Sequence, residues 1–280
     1  MSNILIAIKR VVENPVVNIR AVYAGKNRAN SVGAALEAYI KDIFAGTYDI
    51  DDENDRMRIH DEIFSYGGTQ NHPPDLMLRG GDAIEVKKIE SLDNSIALNS
   101  SYPKDKLYSH SKMINKHCRD CEEWNVKDMV YVIGCVKKDS LKSLWIVYGD
   151  CYAANNETYE KIRDRIEKGI REIKTVEFSD TKELARLNKI DPLGITNLRV
   201  RGMWEIENPR KVFKYLDAPN NGKFEFCCIM SEEKYNLFSV EDRLQIENIK
   251  SEGFRHEKVK IKNPNNSTNL IDARFITFIK

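Results

Sequence analysis

A chain of 280 residues, 41% hydrophobic and 31% charged, carries enough apolar mass for a sizeable core and is too apolar for a disordered polymer. No apolar run reaches the length of a membrane span, and the short Ile4–Ile8 stretch gives way to Lys9-Arg10 without the order of a secretory signal, so a cytoplasmic protein with no membrane partner is expected. The 44 basic and 43 acidic residues leave a net charge of +1, which neither supports nor refutes a nucleic-acid partner, because a duplex responds to local potential.

Residues 3–13 place Ile4, Leu5, Ile8, Val11 and Val12 on one helical stripe, which Asn14-Pro15 stops. Residues 29–44 repeat the pattern with Val32, Ala35, Leu36, Tyr39, Ile40, Ile43 and Phe44, and Gly46 stands just past the end. Glu37 lies beside that stripe in line with Gly33 and Lys41, as either a solvated partner of Lys41 or a carboxylate facing a site. Asn27, Arg28 and Asn30, near the start of the same helix, either cap it or hold a phosphate. Residues 47–61 read as a surface loop or short helix. Ile63–Tyr66 reads as a strand ended by Gly67-Gly68, and Pro73-Pro74 as a stop.

The stretch from Pro74 to Lys88 then forms a hairpin whose turn decides its chemistry. A two-residue Gly80-Gly81 turn pairs Asp75 with Val86 and sends it to the face opposite Glu85. A three-residue Gly80-Gly81-Asp82 loop pairs Met77 with Glu85 and Asp75 with Lys87, so that Asp75, Glu85 and Lys87 converge. The odd-length loop is the expectation. Two carboxylates, helped by the backbone carbonyl of Val86, suit Mg²⁺, which keeps several waters and reaches for phosphate oxygen. Lys87 either orients the attacking water or neutralises charge on the phosphoryl oxygens; beside two carboxylates it stays protonated unless burial overrides them, which favours charge stabilisation.

Farther on, Asn99, Ser100 and Ser101 open a turn-rich segment through Lys104, suited to base edges or phosphates and equally to ordinary loop chemistry. Residues 105–127 are polar and partly helical. Met129–Val136 and Leu144–Tyr148 read as a hairpin around Lys137–Lys142. Residues 156–174 are an amphipathic helix with Tyr159, Ile162, Ile166, Ile170 and Ile173 inward, and a second helix over about 180–189 ends before Asp191-Pro192. Leu198–Ile206 alternates like one strand, with Arg199 and Arg201 on one face. Those arginines either read guanine edges or sit on a solvated face or on sheet carboxylates. Phe224–Met230, Val259–Ile261 and Phe275–Ile279 are further strands. Cys118 and Cys121 form a single Cys-x-x-Cys. Without a second close pair they read as reduced, packed cysteines rather than a zinc site.

Pro74-Asp75 followed by Glu85-x-Lys87 resembles the PD-(D/E)xK nuclease superfamily. Together with Asn27–Asn30, the Glu37 helix, Asn71–Asp82, Leu98–Pro103 and Arg199–Trp204, it resembles the NgoPII-like type II restriction endonucleases, from the first helix to about Pro209. The resemblance implies an α/β fold with a mixed central β-sheet flanked by helices, a restriction-endonuclease-like core and a C-terminal strand-rich elaboration. It implies a single domain, with a catalytic core over about 28–150 and a DNA-recognition part over about 190–280. It implies a homodimer that uses Mg²⁺ to cut double-stranded DNA at GGCC and leaves 5′-phosphates, with a cognate DNA methyltransferase in the same cell. Asp75, Glu85 and Lys87 then take the catalytic positions and Glu37 a further acidic one. Asp75, Glu85 and the Val86 carbonyl take the metal, and Arg199, Arg201, Asn99, Ser100, Ser101, Asn27, Arg28, Asn30 and Lys88 contact DNA. The competing readings are a structure-specific repair or junction-resolving nuclease, a non-catalytic DNA-binding protein on the same fold, and a zinc-stabilised interaction protein.

Overall fold

Asn3 starts the first helix by accepting the N–H groups of Leu5 and Ile6 on its side chain. The computed structural model describes residues 2–24, 32–69 and 72–280. Helices α1 (Ile4–Glu13), α2 (Ile19–Ala24), α3 (Val32–Ala45) and α4 (Glu53–Ile63) lead into strands β1 (Phe64–Thr69), β2 (His72–Leu78) and β3 (Ala83–Ile89). Then come β4 (Ile96–Asn99), β5 (Lys106–Tyr108), α5 (Lys116–Asp120) and the long hairpin β6 (Val126–Lys137) and β7 (Ser140–Tyr148). Helices α6 (Gly149–Tyr152) and α7 (Asn156–Arg171) precede β8 (Glu177–Ser179), β9 (Ala185–Asn188), β10 (Leu198–Val200) and β11 (Trp204–Ile206). The chain closes with α8 (Pro209–Val212), β12 (Glu225–Ser231), α9 (Glu232–Leu237), α10 (Val240–Glu247), β13 (Phe254–Asn263) and β14 (Asn266–Ile279).

Eight strands lie in the order β1-β2-β3-β6-β7-β12-β14-β13, and β5 adds a ninth beside β6. The sheet is mixed: β3–β6 and β7–β12 are parallel and the remaining pairs antiparallel. Its central strands β6, β7 and β12 are almost continuously buried, as strands covered on both faces must be. Helix α3 supplies part of the cover, and α1 packs on α3 behind it. Ile4, Leu5, Ile8, Val11 and Val12 of α1 and Ala35, Leu36, Tyr39, Ile40, Ile43 and Phe44 of α3 are all buried. Helix α3 packs on β3, α6 on β6 and β12, and α9 on β14. Two smaller sheets, β10-β9-β8 and β11-β4, stand apart from the large one. All six cysteines are unbridged and all but Cys121 are buried; Cys118 Sγ lies 3.3 Å from the Met77 sulfur. No described helix is long and apolar enough to cross a membrane.

Several expectations need correction. Helix α2 was hidden in what reads as a loop. Strand β1 continues through Gly67-Gly68, and Pro73-Pro74 lies inside β2. The prolines are tolerated because the β1–β2 register jumps there, from Gly67–Leu76 to Thr69–His72, so no ladder N–H is required of them. The helix expected over 180–189 is absent; β9 lies there, alternating buried Ala185 and Leu187 with Arg186, and pairs with both β8 and β10. Leu198–Ile206 is two strands in different sheets, broken at 201–203. Finally, the stripe of α7 does not face inward. Ile162 and Ile166, with Ile173 beyond the end of the helix at Arg171, are 45–52% exposed, because α7 leans on the small β8–β10 sheet rather than on the central one.

Candidate active site

The β2–β3 turn holds an odd number of residues, as expected, but it is Arg79-Gly80-Gly81 rather than Gly80-Gly81-Asp82. Leu76 faces Ile84, Met77 faces Ala83, and the Leu78 N–H donates to the Asp82 carbonyl at 2.9 Å. Met77 therefore does not face Glu85, and Asp75 does not face Lys87. Asp82 cannot serve as a loop residue because its side chain is buried, accepting from the Tyr148 hydroxyl at 2.6 Å and from Lys234 Nζ at 2.7 Å. Gly80 takes φ +64, and the Gly81 N–H closes the turn on the Leu78 carbonyl. Lys127 donates to the Leu78 and Gly81 carbonyls and pairs with Glu122, which accepts the Gly80 N–H; the hairpin tip is clamped.

Parity, not exact register, controls the side-chain face, so Asp75, Glu85 and Lys87 still lie on one side. Pairing between β2 and β3 stops after Leu76–Ile84. Continuing the register would set Val86 against Pro74, which has no N–H to give. Instead the Val86 N–H donates to Asp75 Oδ2 at 2.7 Å, fixing the carboxylate at the fork where the strands part. Gly68 lets β1 come close to the β2 backbone at the same place. A Cβ there would stand 2.6 Å from the carbonyl oxygens of both Pro74 and Asp75.

Lys87 Nζ lies 2.6 Å from Glu85 Oε1. Burial works against the lysine's charge, but Glu85 and then Asp75 overcome it, and the amine is held above its ordinary range. Burial and then the charge of Glu85 push the Asp75 carboxyl up to about 7, despite Lys87 and the Val86 N–H. Glu85 Oε2 is buried and has no hydrogen-bond partner among the described residues. An orphaned carboxylate oxygen beside a second carboxylate that resists ionisation is a donor set suited to a hard cation. Among the described residues no group of three or more His, Cys, Asp or Glu side chains is placed to hold a metal, so a cation here would lean on solvent and substrate oxygens as Mg²⁺ does. Glu37 is exposed on α3, and its charge is felt at both Asp75 and Lys87.

The cleft around this group has a volume of about 600 Å³ and is shared by Asp75, Glu85, Lys87, Asn99, Ser100, Ser101, Arg199 and Arg201. Segments about 100 positions apart meet because β4 pairs with β11, setting Trp204 beside Asn99 and carrying both polar segments to the cleft. Tyr102 locks the junction by stacking on Tyr159 and meeting Trp204 edge-on, while Trp204 also meets Tyr159 edge-on. Lys88 points away from the triad, 2.8 Å from Glu90, and borders a smaller recess with Lys87. Asn27, Arg28 and Asn30 lie outside the described residues.

Sequence reasoning missed three contributors. Lys104 is buried beneath the Ser101 turn, donating to the Ser101 hydroxyl and the Tyr102 carbonyl, and shares a small recess with Glu85. Lys182 and Glu183 line the cleft from the segment misread as helix. The alternation of Ala185, Arg186, Leu187 and Asn188 was the available signal for that segment.

Paired carboxylates, a lysine and a pair of arginines in one cleft are chemically suited to a polyanion whose phosphodiester must be both held and polarised. The comparisons agree with that class. A family model described as NgoPII restriction endonuclease matches residues 2–262, and the chain belongs to that family. Type II restriction enzyme NgoPII of Neisseria gonorrhoeae is 48% identical to it over 278 residues, which cover 99% of each chain. No solved structure matches the chain significantly.

Proposed function

We propose that this member of the family, a type II restriction endonuclease, is a PD-(D/E)xK enzyme that hydrolyses double-stranded DNA at GGCC with Mg²⁺. The observation that carries the reading is the convergence of Asp75, Glu85 and Lys87 in a cleft that also holds Arg199 and Arg201. Asp75, Glu85 and the Val86 carbonyl hold the cation, with Glu37 a further acidic group at the edge. The cation supplies a polarised phosphodiester and lowers the pKa of a nearby water. Lys87 remains charged beside Glu85, and neutralises charge that builds on the phosphoryl oxygens. Water forms the new bond to phosphorus as the bond to the 3′ oxygen breaks, leaving a 3′-hydroxyl and a 5′-phosphate.

Arg199 and Arg201 supply guanidinium edges for guanine, and Asn99, Ser100 and Ser101 supply amide and hydroxyl groups on the same cleft wall. Lys88, and Asn27, Arg28 and Asn30 outside the described residues, are assigned to the DNA backbone by the family resemblance. A palindromic target calls for a two-fold homodimer, and a cytoplasmic nuclease of this kind requires a methyltransferase that protects its own sites. The chain is read as a single domain with a catalytic part over about 28–150 and a recognition part over about 190–280. That reading is supported by the one sheet that takes β1–β3, β6 and β7 from the first part and β12–β14 from the second.

The test is digestion of plasmid DNA with Mg²⁺, comparing unmethylated with GGCC-methylated substrate and wild type with Lys87→Ala. The expected result is discrete fragments mapping to unmethylated GGCC, and a loss of about 100-fold or more for Lys87→Ala with DNA binding kept. Fragments mapping elsewhere refute the target. Wild-type cleavage by Lys87→Ala refutes the site.

A further inference from the structure

Glu183 is an unexpected neighbour for a polyanion. Its side chain is only 14% exposed, and it sits between two arginines whose side chains are more than half exposed. It accepts Arg199 Nε at 2.9 Å on Oε2 and Arg199 Nη2 at 2.7 Å on Oε1, and Arg201 Nε also donates to Oε1. Its own backbone is pinned. The Glu183 N–H donates to the Thr181 hydroxyl at 3.1 Å, and the next residue, Leu184, donates its N–H to the Val200 carbonyl at 3.1 Å. The hydrogen bond from Arg199, then that from Arg201, holds the carboxyl below its ordinary range. Among the described residues neither arginine has another hydrogen-bond partner, so Glu183 alone sets the orientation of both forks.

The edges left over are the useful ones. Arg199 gives its Nε–Nη2 edge to Glu183 and keeps the Nη1–Nη2 end; Arg201 gives only Nε and keeps both terminal nitrogens. A free Nη1–Nη2 end makes the bidentate contact to an acceptor pair such as guanine O6 and N7. A carboxylate in this place also repels phosphate, which weakens sequence-independent attraction. Both effects act in one direction: weaker binding to any duplex, better-oriented donors for the right one.

We propose that Glu183 is a positioning residue for specificity, which fixes Arg199 and Arg201 for base recognition while suppressing non-specific DNA binding. The inference rests on the reading that these arginines contact DNA. The experiment compares wild type, Glu183→Gln, Glu183→Ala, Arg199→Ala and Arg201→Ala on the duplex site the enzyme cuts and on duplexes with single-base changes. It reads kcat and KM for each, binding to a duplex lacking the site across a salt series, and the melting temperature.

For Glu183→Gln we expect the cut-site preference in kcat/KM to fall about tenfold or more, within the range of one bidentate base contact. Non-specific affinity should rise and its dependence on salt steepen, by a slope of about one for the anion removed. The melting temperature should hold. The inference is overturned by preference that stays within about twofold of wild type. It is also overturned if kcat/KM falls equally on all duplexes with a lower melting temperature, a purely structural role, or if it rises equally on all, mere self-inhibition. Wild-type preference in both arginine variants overturns the DNA-contact reading and this inference with it. Lost preference in the arginine variants beside an unchanged Glu183→Gln overturns this inference alone.

Discussion

Replacing Asp75 with asparagine should stabilise the metal-free protein above neutral pH, although it removes a proposed metal ligand. In the folded chain burial and the neighbouring Glu85 push the Asp75 carboxyl up to about 7; unfolded, the same group titrates at about 3.9. Below the unfolded value both states hold the proton and the penalty is absent. As pH rises from about 4 to about 7 the unfolded chain releases it first, so folding loses stability through that window, and above it the loss is complete. The displacement corresponds to about 4 kcal/mol. Asparagine removes both the buried charge and the repulsion from Glu85 but also the attraction of Lys87, so only part of that loss should return, on the order of 2 kcal/mol. The asparagine amide oxygen can still accept the Val86 N–H. A gain of about 2 kcal/mol in a chain of this length raises Tm by about 3 °C. Calorimetry in EDTA should show that rise near pH 8 and less than half of it near pH 5, and Mg²⁺ should raise Tm more for wild type than for the variant. Asp75→Asn melting below wild type near pH 8, or differing by the same margin at both pH values, would refute the reasoning.

Lys104 tests the same physics with the opposite sign. Burial lowers its amine to about 8, although Glu85 pulls it up, so the cost of its charge is complete below that pH and disappears as pH rises towards the unfolded value of about 10.4. Lys104→Met should therefore gain about 1–2 kcal/mol near pH 7 in urea titrations, narrowing towards pH 10; a difference independent of pH would rule out burial of charge as the cause. Tyr148→Phe removes the buried donor 2.6 Å from Asp82 and should cost about 1–3 kcal/mol in the same assay, and an unchanged midpoint would show that Lys234 alone satisfies Asp82. Gly149→Ala would press a methyl group into the backbone oxygens of Lys104 and Asp105, and should cost more than about 2 kcal/mol, with wild-type stability showing that this turn yields.

The hairpin of the candidate site was legible because its information is local. Loop parity alone decides whether Asp75 shares a face with Glu85 and Lys87, and parity survives the shift of the turn from Gly80–Asp82 to Arg79–Gly81. The exact register was not legible, since it depends on Tyr148 and Lys234 claiming the Asp82 side chain from strands and helices far along the chain. Stripes of α1 and α3 were read correctly for a similar reason: each is wide, continuous and buried, α3 against β3 and α1 against α3 and α10. Pro73-Pro74 misled because a proline pair is a local stop signal, whereas the jump in the β1–β2 register that accommodates it involves a partner strand.

The recognition side resisted for a physical reason. An amphipathic stripe states which face of a helix is apolar but not what covers it, so Ile162 and Ile166 of α7, and Ile173 just past its end, read as core and stand half-exposed. Over 180–189, Lys182, Glu183, Leu184, Ala185 and Leu187 are all good helix formers, and propensity favours a helix. Pairing overrides it: β9 gains β8 on one side and β10 on the other, with Leu187 between Phe178 and Leu198. The consequence reaches the site. As a helix, residues 180–189 would be independent of Arg199 and Arg201; as the approach to a strand paired with β10, they place Glu183 where it holds both arginines. Of the readings of the arginine pair, the structure shows the carboxylate-bound one, and the proposed DNA contact is compatible with it, because a guanidinium held by Glu183 along one edge leaves another free.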